Sequence, residues 1–255
     1  PMATDPTTTA EIIVDRDDAV ATVTLNRPDA LNAITPTMLV SLGAELQALA
    51  GDDSVRVVVM TGAGRAFSAG VDLKALGDRE LVDGKVGDIL DLPARRVTDL
   101  LSSMPQVTIA KVNGFCFTGA LELALACDLV IAADEAKFGD THAKFGLRPT
   151  WGMSARLPRL VGMAAARELS LTARTFTGSE ALALGLAART APRDELDEAA
   201  AALVAELLEN SQASLRAYKD LYRQTQQLPL DAALGYEADT EYSIADTAER
   251  LADFR

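Results

Sequence analysis

Glu122 is an isolated carboxylate in an apolar run, at a position that suits chemistry. It belongs to residues 113–128 (NGFCFTGALELALACD), where a turn at Asn113 leads through Thr118 and Gly119 into a helix-like segment. The first N–H groups of a helix lack internal partners and carry the positive end of the helix dipole. A glycine there lets a ligand approach the backbone closely. The stretch therefore offers donors for a developing negative charge and, one turn later, a carboxylate in apolar surroundings.

The second candidate is the glycine-rich loop at residues 62–73 (GAGRAFSAGVDL). It lacks both the Gly-Lys-Ser/Thr ending of a phosphate loop and the G-x-G-x-x-G pattern of a dinucleotide site. Its glycines bracket small residues, which favours exposed backbone N–H and C=O groups beside a flat ligand. An ordinary turn after a strand is the alternative interpretation of this loop taken alone.

A buried β-strand is predicted directly before each of these segments, at residues 55–60 and Val107–Val112, and a third at Leu129–Ala133. Their apolar residues run without alternation, as in strands that are covered on both faces. The other predicted elements are a hairpin at 11–15 and 19–25, helices at 35–50, 93–103, 154–172 and 179–184, and a mobile acidic surface segment at 77–92. Strands that alternate with helices predict an α/β core. From residue 193 the pattern becomes helical, with a helix at 195–209 and two more that are separated near Pro229.

Composition excludes several functional classes. The 255 residues carry a net charge of −13, which argues against nucleic-acid binding because that function needs a basic face. No apolar run is long enough to span a bilayer, and no signal peptide is recognisable at the start. The two cysteines, Cys116 and Cys127, match neither a zinc site nor a disulfide framework. They predict buried, reduced thiols in a cytoplasmic protein.

Several ordered motifs together resemble the crotonase (enoyl-CoA hydratase/isomerase) superfamily. The motifs are NRPDALNAI at 26–34, GRAFSAGVDL at 64–73, NGFCFTGALELALACD at 113–128, AKFGD at 136–140 and GLAAR at 185–189. The resemblance implies an α/β spiral of ββα units over residues 1–192 and an all-helical C-terminal oligomerisation region over 193–255. It also implies a homotrimer or a dimer of trimers. The substrate implied is an acyl-CoA thioester, with coenzyme A as part of the substrate, no separate cofactor and no metal.

The same resemblance assigns the binding residues. It implies an oxyanion hole that is made by the backbone N–H groups of Val71 and Gly119 and receives the thioester oxygen. It implies that CoA is bound by the backbone of Ala66, Ala69 and Asp72 at the adenine and by Arg27 and Lys74 at the phosphates. For the two cations, the alternative is a solvated surface position, which is usual for such residues.

The chain departs from the hydratase pattern at the second catalytic carboxylate. Glu122 matches the first of two glutamates, but His142 stands where the second would be. A Glu–His pair can also orient water and pass a proton. We therefore expect Glu122 to activate or position water and His142 to supply or remove the proton at the α-carbon. A structural histidine is the alternative, and Asp140 is expected to be a loop residue that bonds local N–H groups. Trp151 replaces a small residue and either lines the acyl pocket or packs in the core.

The sequence therefore predicts an enoyl-CoA hydratase that adds water across the double bond of a 2-enoyl-CoA. Two rival enzymes share the resemblance: an isomerase that works with Glu122 alone, and a thioester hydrolase in which His142 activates water. A non-catalytic acyl-CoA-binding protein belongs to a different functional class. Such a protein would bind CoA thioesters and show no effect when Glu122 is removed.

Overall fold

A computed structural model describes residues 10–77 and 81–252. Its strands are β1 (Ile12–Asp17), β2 (Val20–Leu25), β3 (Val57–Gly62), β4 (Ala66–Ser68), β5 (Val107–Val112), β6 (Phe115–Phe117), β7 (Leu129–Ala133), β8 (Lys137–Gly139), β9 (Phe176–Thr177) and β10 (Arg189–Ala191). Six strands form one sheet in the order β1-β2-β3-β5-β7-β10, and four form a second sheet in the order β4-β6-β8-β9. Apart from the antiparallel β1–β2 hairpin, the larger sheet is parallel.

The α-helices of the described residues are α1 (Pro36–Ala50), α2 (Asp88–Ser103), α3 (Gly119–Ala124), α4 (Met153–Val161), α5 (Met163–Thr172), α6 (Gly178–Ala183), α7 (Leu196–Leu208), α8 (Gln212–Thr225), α9 (Leu230–Asp239) and α10 (Thr247–Ala252). The chain repeats one pattern, in which a long strand enters the larger sheet, a short strand enters the smaller sheet, and helical segments follow. The units are β3–β4–α2, β5–β6–α3 and β7–β8 with α4. This architecture is the predicted spiral of ββα units.

The short strands decide where the loops meet. β4, β6 and β8 are parallel neighbours in the smaller sheet, so their carboxyl ends lie along one edge. Val71 follows β4, Gly119 follows β6 and His142 follows β8 within three residues of each strand end. The two predicted loops and the loop with the histidine are therefore brought together by strands of only three residues each.

The core confirms the predicted buried strands. Every residue of β3 is buried, and α1 begins at the predicted position, with the Thr35 side chain accepting a hydrogen bond from the Met38 N–H. α2 begins at Asp88 rather than at the expected Pro93. The apolar spacing of Leu90 with the buried residues further along α2 already has the helical period. Burial of that face outweighs the proline inside the helix. Residues 78–80 of the expected acidic surface segment lie outside the described residues.

Both cysteines are free, as predicted. Burial raises the pKa of Cys116 and raises that of Cys127 to about 12, so neither thiol is set up as a nucleophile. No helix in residues 10–77 and 81–252 is long and apolar enough to cross a membrane.

An ion pair between a half-buried lysine and a carboxylate at the surface fastens α8 to the core. Lys219 Nζ lies 2.7 Å from Asp128 Oδ2 and donates to the carbonyls of Leu101 (3.0 Å) and Gln106 (2.9 Å). The same Asp128 oxygen accepts the Thr108 N–H at 2.8 Å. One ammonium group thus satisfies acceptors from three segments of the core.

Replacing Lys219 with methionine is expected to lower the free energy of unfolding by about 1.5–3 kcal/mol, because the carbonyls of Leu101 and Gln106 lose a charged donor. Urea unfolding at fixed protein concentration measures the loss. The exposed Lys137 on β8 provides the matched control, Lys137→Met. Equal midpoints for the two variants would show that the ion pair adds nothing to stability.

Candidate active site

A cavity of about 130 Å³ lies at the edge where β4, β6 and β8 end. Six residues predicted from the sequence line it: Ala69, Val71, Gly119, Glu122, His142 and Trp151. They come from the loop after β4, from α3, from the loop after β8 and from the turn before α4. The fold thus gathers the predicted oxyanion, catalytic and acyl-pocket residues around one space.

The backbone around Val71 directs one amide away from its neighbouring strand. The Gly70 carbonyl accepts the Ile34 N–H at 2.8 Å, and the Asp72 N–H donates to the Ile34 carbonyl at 2.9 Å. A trans peptide points its N–H opposite to its C=O, so the Val71 N–H points away from Ile34. Among the described residues, this N–H has no hydrogen-bond acceptor.

Gly119 supplies a second amide in the same way. The Thr118 carbonyl accepts the Glu122 N–H at 3.0 Å inside α3, so the N–H of the same peptide group, on Gly119, points back out of the helix. Within residues 10–77 and 81–252 it also has no protein acceptor. Both amides are therefore available to an oxygen atom in the cavity.

Strained backbone holds the two amide-bearing segments in contact. Thr118 has φ 53°, which is unusual for a β-branched residue and costs on the order of 1–3 kcal/mol. Its N–H donates to the Gly139 carbonyl, and its hydroxyl lies 2.6 Å from that of Thr141. Gly70 has φ 92°, and a Cβ there would lie 2.8 Å from the Phe117 carbonyl oxygen. Only glycine allows this approach, and no pattern in the sequence indicates either contact.

Glu122 is buried, with 1% of its surface exposed. Its Oε1 accepts the N–H groups of Trp151 (3.0 Å) and Met153 (2.9 Å) at the start of α4. Burial raises the pKa of Glu122, and these two amide bonds and His142 offset part of that effect. The carboxyl group is therefore fixed by Oε1, while Oε2 lies 3.7 Å from Nε2 of His142. A raised pKa at a cavity is typical of an acid–base residue.

His142 links Glu122 to a second carboxylate. Its Nε2 lies 3.7 Å from Glu122 Oε2, and its Nδ1 lies 2.7 Å from Asp140 Oδ1. Burial alone would raise the pKa of Asp140, but hydrogen bonds from His142 and Ser170 lower it below its ordinary value. An ionised carboxylate only accepts hydrogen bonds, so Nδ1 carries the proton. Nε2 is then the nitrogen that exchanges a proton on the Glu122 side.

The Trp151 ring is fixed by a hydrogen bond from its indole N–H and by close contact with Gly119. Its indole N–H donates to Asp91 Oδ1 at 2.8 Å, and the Thr150 hydroxyl donates to the same oxygen at 2.7 Å. Its ring lies so close to Gly119 that a Cβ on this glycine would be 2.5 Å from the ring. Asp91 lies on α2, and no spacing in the sequence indicates its bond to Trp151.

The residues expected to bind CoA lie around the glycine-rich loop, and Ala69 is the one that lines the cavity. Arg27 borders a second depression, of about 350 Å³. It pairs there with Glu11 (3.1 Å) and Asp72 (3.0 Å). Lys74 is exposed on the short 3-10 helix Leu73–Leu76, which follows the glycine-rich loop.

The Asn32 side chain forms hydrogen bonds to the backbone of the glycine-rich loop. It is fully buried, and its side-chain NH₂ group donates to the carbonyls of Ala63 (2.9 Å) and Ala66 (2.7 Å). Its side-chain oxygen accepts the Arg27 N–H at 2.8 Å. Asn32 belongs to the NRPDALNAI motif at 26–34, but its hydrogen bonds to the glycine-rich loop had not been predicted.

No group of three or more His, Cys, Asp or Glu side chains in the described residues is arranged to hold a metal ion. The cavity instead combines two free amides, a buried carboxylate and an imidazole. Such a set can stabilise an oxyanion and move protons without further groups.

Comparisons with known proteins agree with one another. The family model described as enoyl-CoA hydratase/isomerase matches residues 15–252. A short-chain-enoyl-CoA hydratase of Clostridium acetobutylicum is 33% identical, covering 89% of this chain and 87% of that protein. The crystal structure of an enoyl-CoA hydratase from Bacillus anthracis superposes with a TM-score of 0.89 at 31% identity, covering 96% of both chains. A Thermobifida fusca structure solved in complex with CoA has a TM-score of 0.81 at 34% identity, covering 96% and 94%.

Proposed function

Because the chain belongs to the enoyl-CoA hydratase/isomerase family, we propose that it is an enoyl-CoA hydratase that adds water to a 2-enoyl-CoA. One observation carries the proposal. The carboxylate of Glu122, the imidazole of His142 and the amides of Val71 and Gly119 border one cavity. Proton-transfer groups beside a pair of free amides fit chemistry next to a thioester carbonyl.

The two amides form the oxyanion hole in this proposal. As water adds to the β-carbon, the electron pair of the double bond moves toward the thioester carbonyl and places negative charge on its oxygen. The N–H groups of Val71 and Gly119 then donate to that oxygen. Preorganised donors of this kind are each worth roughly 10²–10³ in rate. Because they are backbone groups, their geometry depends on the strained turn at Thr118.

Glu122 and His142 divide the proton transfers. The Glu122 carboxylate takes a proton from water while the water oxygen bonds to the β-carbon. The imidazolium of His142 then gives its Nε2 proton to the α-carbon, which completes the addition of H and OH. The proton left on Glu122 can return to Nε2, which lies 3.7 Å away. The pair thereby returns to its starting state.

Substrate binding uses the surfaces on either side of this centre. We assign the adenine of CoA to the backbone of Ala66, Ala69 and Asp72, and its phosphates to Arg27 and Lys74. That a similar structure from Thermobifida fusca was solved in complex with CoA supports CoA as part of the substrate. For Arg27 the role requires that a phosphate share or replace the carboxylates that now bind it. Trp151 forms a wall of the acyl pocket, and its bond to Asp91 keeps that wall in place.

The assembly is also part of the proposal. We assign residues 1–192 to the catalytic spiral and 193–255 to an oligomerisation region of a trimer or a dimer of trimers. Exposed Tyr218, Tyr222 and Leu234 on α8 and α9 are consistent with an interface there. Within the chain, α7 packs its buried face on the larger sheet, so this helix also completes the core.

The decisive experiment follows the loss of enoyl-thioester absorbance with crotonyl-CoA, together with free-thiol release and product identification. A 3-hydroxyacyl-CoA product without thiol release supports the hydratase. Thiol release instead would identify a hydrolase, and a shifted double bond would identify an isomerase. Binding of the thioester without any turnover would leave a non-catalytic acyl-CoA-binding protein.

Replacing His142 with alanine is expected to lower kcat by about 10²-fold, because general acid–base groups contribute 10²–10⁴ and water can replace part of the function. The absorbance assay measures it, with KM expected to change little. The exposed neighbour Lys144 gives the control variant, Lys144→Ala. If His142→Ala kept full activity, Glu122 would be acting alone, as the isomerase alternative requires.

A further inference from the structure

Asp140, in the loop after β8, is a buried carboxylate that bonds more than local N–H groups. It is 3% exposed, and a buried anion is costly unless it is paired and hydrogen-bonded. Among the described residues, its only salt-bridge partner is His142, at 2.7 Å through Nδ1. It also accepts the His142 backbone N–H at 3.3 Å, which is the local bond expected from the sequence. The imidazole contact is the additional feature.

We propose that Asp140 is a positioning residue for His142, an inference that rests on the proposed hydratase function. Its carboxylate fixes the proton on Nδ1 and so directs Nε2 toward Glu122. Its negative charge also favours the imidazolium, which is the form that must give a proton to the α-carbon. A carboxylate behind the ring sets both tautomer and orientation in many catalytic histidines. In this chain the Asp140 carboxylate lies behind a histidine that stands where the hydratase pattern has a carboxylate.

The surroundings of Asp140 favour its ionised form. Hydrogen bonding by His142 and Ser170 outweighs the effect of burial and lowers the pKa of Asp140, so the carboxylate is ionised at neutral pH. His142 therefore lies between two acidic groups, with Asp140 at Nδ1 and Glu122 beyond Nε2. The cations near this set are Arg156 of α4, which interacts with Glu122, and Arg148 at the cavity wall. Neither forms a salt bridge with Asp140 within the described part of the chain, which leaves the imidazolium as its counter-ion.

The chain contains one histidine, so ¹⁵N-labelled histidine gives the NMR signals of this ring alone. In the wild type we expect the neutral ring to carry its proton on Nδ1. Asp140→Asn removes the charge but keeps an oxygen acceptor, whereas Asp140→Ala removes both. We expect Nδ1–H to persist in the asparagine variant. In the alanine variant the ring is expected to move toward Nε2–H, because Glu122 then offers the only acceptor.

Kinetics provide the second readout. We expect kcat for crotonyl-CoA to fall about tenfold in Asp140→Asn and about 100-fold in Asp140→Ala, the range typical for residues behind a ligand or base, with KM nearly unchanged. The exposed Asp194 gives the matched control, Asp194→Asn.

The outcomes separate this proposal from the hydratase assignment. An active wild type with unchanged tautomer and kcat within twofold in both variants would overturn the role of Asp140 alone. Loss of activity that follows a loss of melting temperature, with the tautomer unchanged, would also overturn it in favour of a structural role. If the wild type does not hydrate crotonyl-CoA, the proposed function fails, and the NMR spectrum still decides whether Asp140 sets the ring.

Discussion

Glu122→Gln is expected to reduce kcat for hydration of crotonyl-CoA by about 10³–10⁴-fold, near the upper end of the range for a general base. An amide cannot take a proton from water. Its oxygen can still accept the N–H groups of Trp151 and Met153 that now bind Oε1, so the site should keep its shape. KM should therefore change little. Steady-state absorbance assays of both enzymes measure the difference.

The stability of Glu122→Gln distinguishes a loss of catalysis from a loss of folded protein. Burial raises the pKa of Glu122 in the folded protein. A raised folded pKa gives stability that is complete below the unfolded value, near 4.5, and is lost as pH rises through the folded value. Glutamine has no charge to bury, so at neutral pH Glu122→Gln should be at least as stable as the wild type. For the same reason, the acid limb of the activity profile should lie above the ordinary glutamate pKa.

Glu135→Gln, on the exposed turn between β7 and β8, provides the control for the change of charge. If Glu122→Gln retained hydration within tenfold of the wild type, Glu122 would not be the base. His142 together with a bound water would then have to carry both proton transfers. Thiol release by the variant would point instead to hydrolysis.

Much of the larger sheet could be predicted because its strands carry a strong local signal. β5 and β7 have the predicted bounds, and their mostly apolar composition follows from burial on both faces. The oxyanion and acid–base candidates could be predicted as well, since each lies in a motif with a fixed offset from a strand. Their gathering around one cavity agrees with that prediction, while their catalytic roles remain proposals.

The smaller sheet could not be predicted, although it brings those residues together. β4, β6 and β8 have three residues each, which is too short for any period to be recognised. Their identity comes from pairing between segments that are distant along the chain, as between Phe115 of β6 and Lys137 of β8 and between Ala66 of β4 and Phe115 of β6. The same limit applies to Trp151 and Asp91, which meet across 60 positions. Long-range pairing, rather than local propensity, decides these contacts.

The contact between Asp140 and His142 is a different case, because the two residues are only two positions apart. Residues at this spacing in a loop give no information about side-chain direction. Asp140 and His142 are both buried in the loop between β8 and α4, and a buried carboxylate must find a donor. The sequence indicated the acid but not the burial that makes it a partner of the imidazole.

Gly119→Ala is expected to lower kcat by about 10²–10³-fold, the value of one oxyanion donor. A Cβ at this position would lie 2.5 Å from the Trp151 ring. The ring cannot easily yield, because its N–H is bonded to the buried Asp91 and its backbone amide to Glu122. The start of α3 must shift instead, and a displacement of about 1 Å in catalytic geometry can cost 10²-fold.

A second substitution tests this cause, because the obstructing atoms belong to a single side chain. Trp151→Leu in the Gly119→Ala background should restore kcat at least tenfold, although Trp151→Leu alone should lower it, and such non-additivity marks residues in direct contact. Gly235→Ala on α9, where nothing lies within 4 Å of the added Cβ, should leave activity unchanged. If the double variant were as slow as the product of the two single effects, the clash would not explain the loss. In that case Gly119 would be needed for close approach of the thioester itself, and KM would rise along with the fall in kcat.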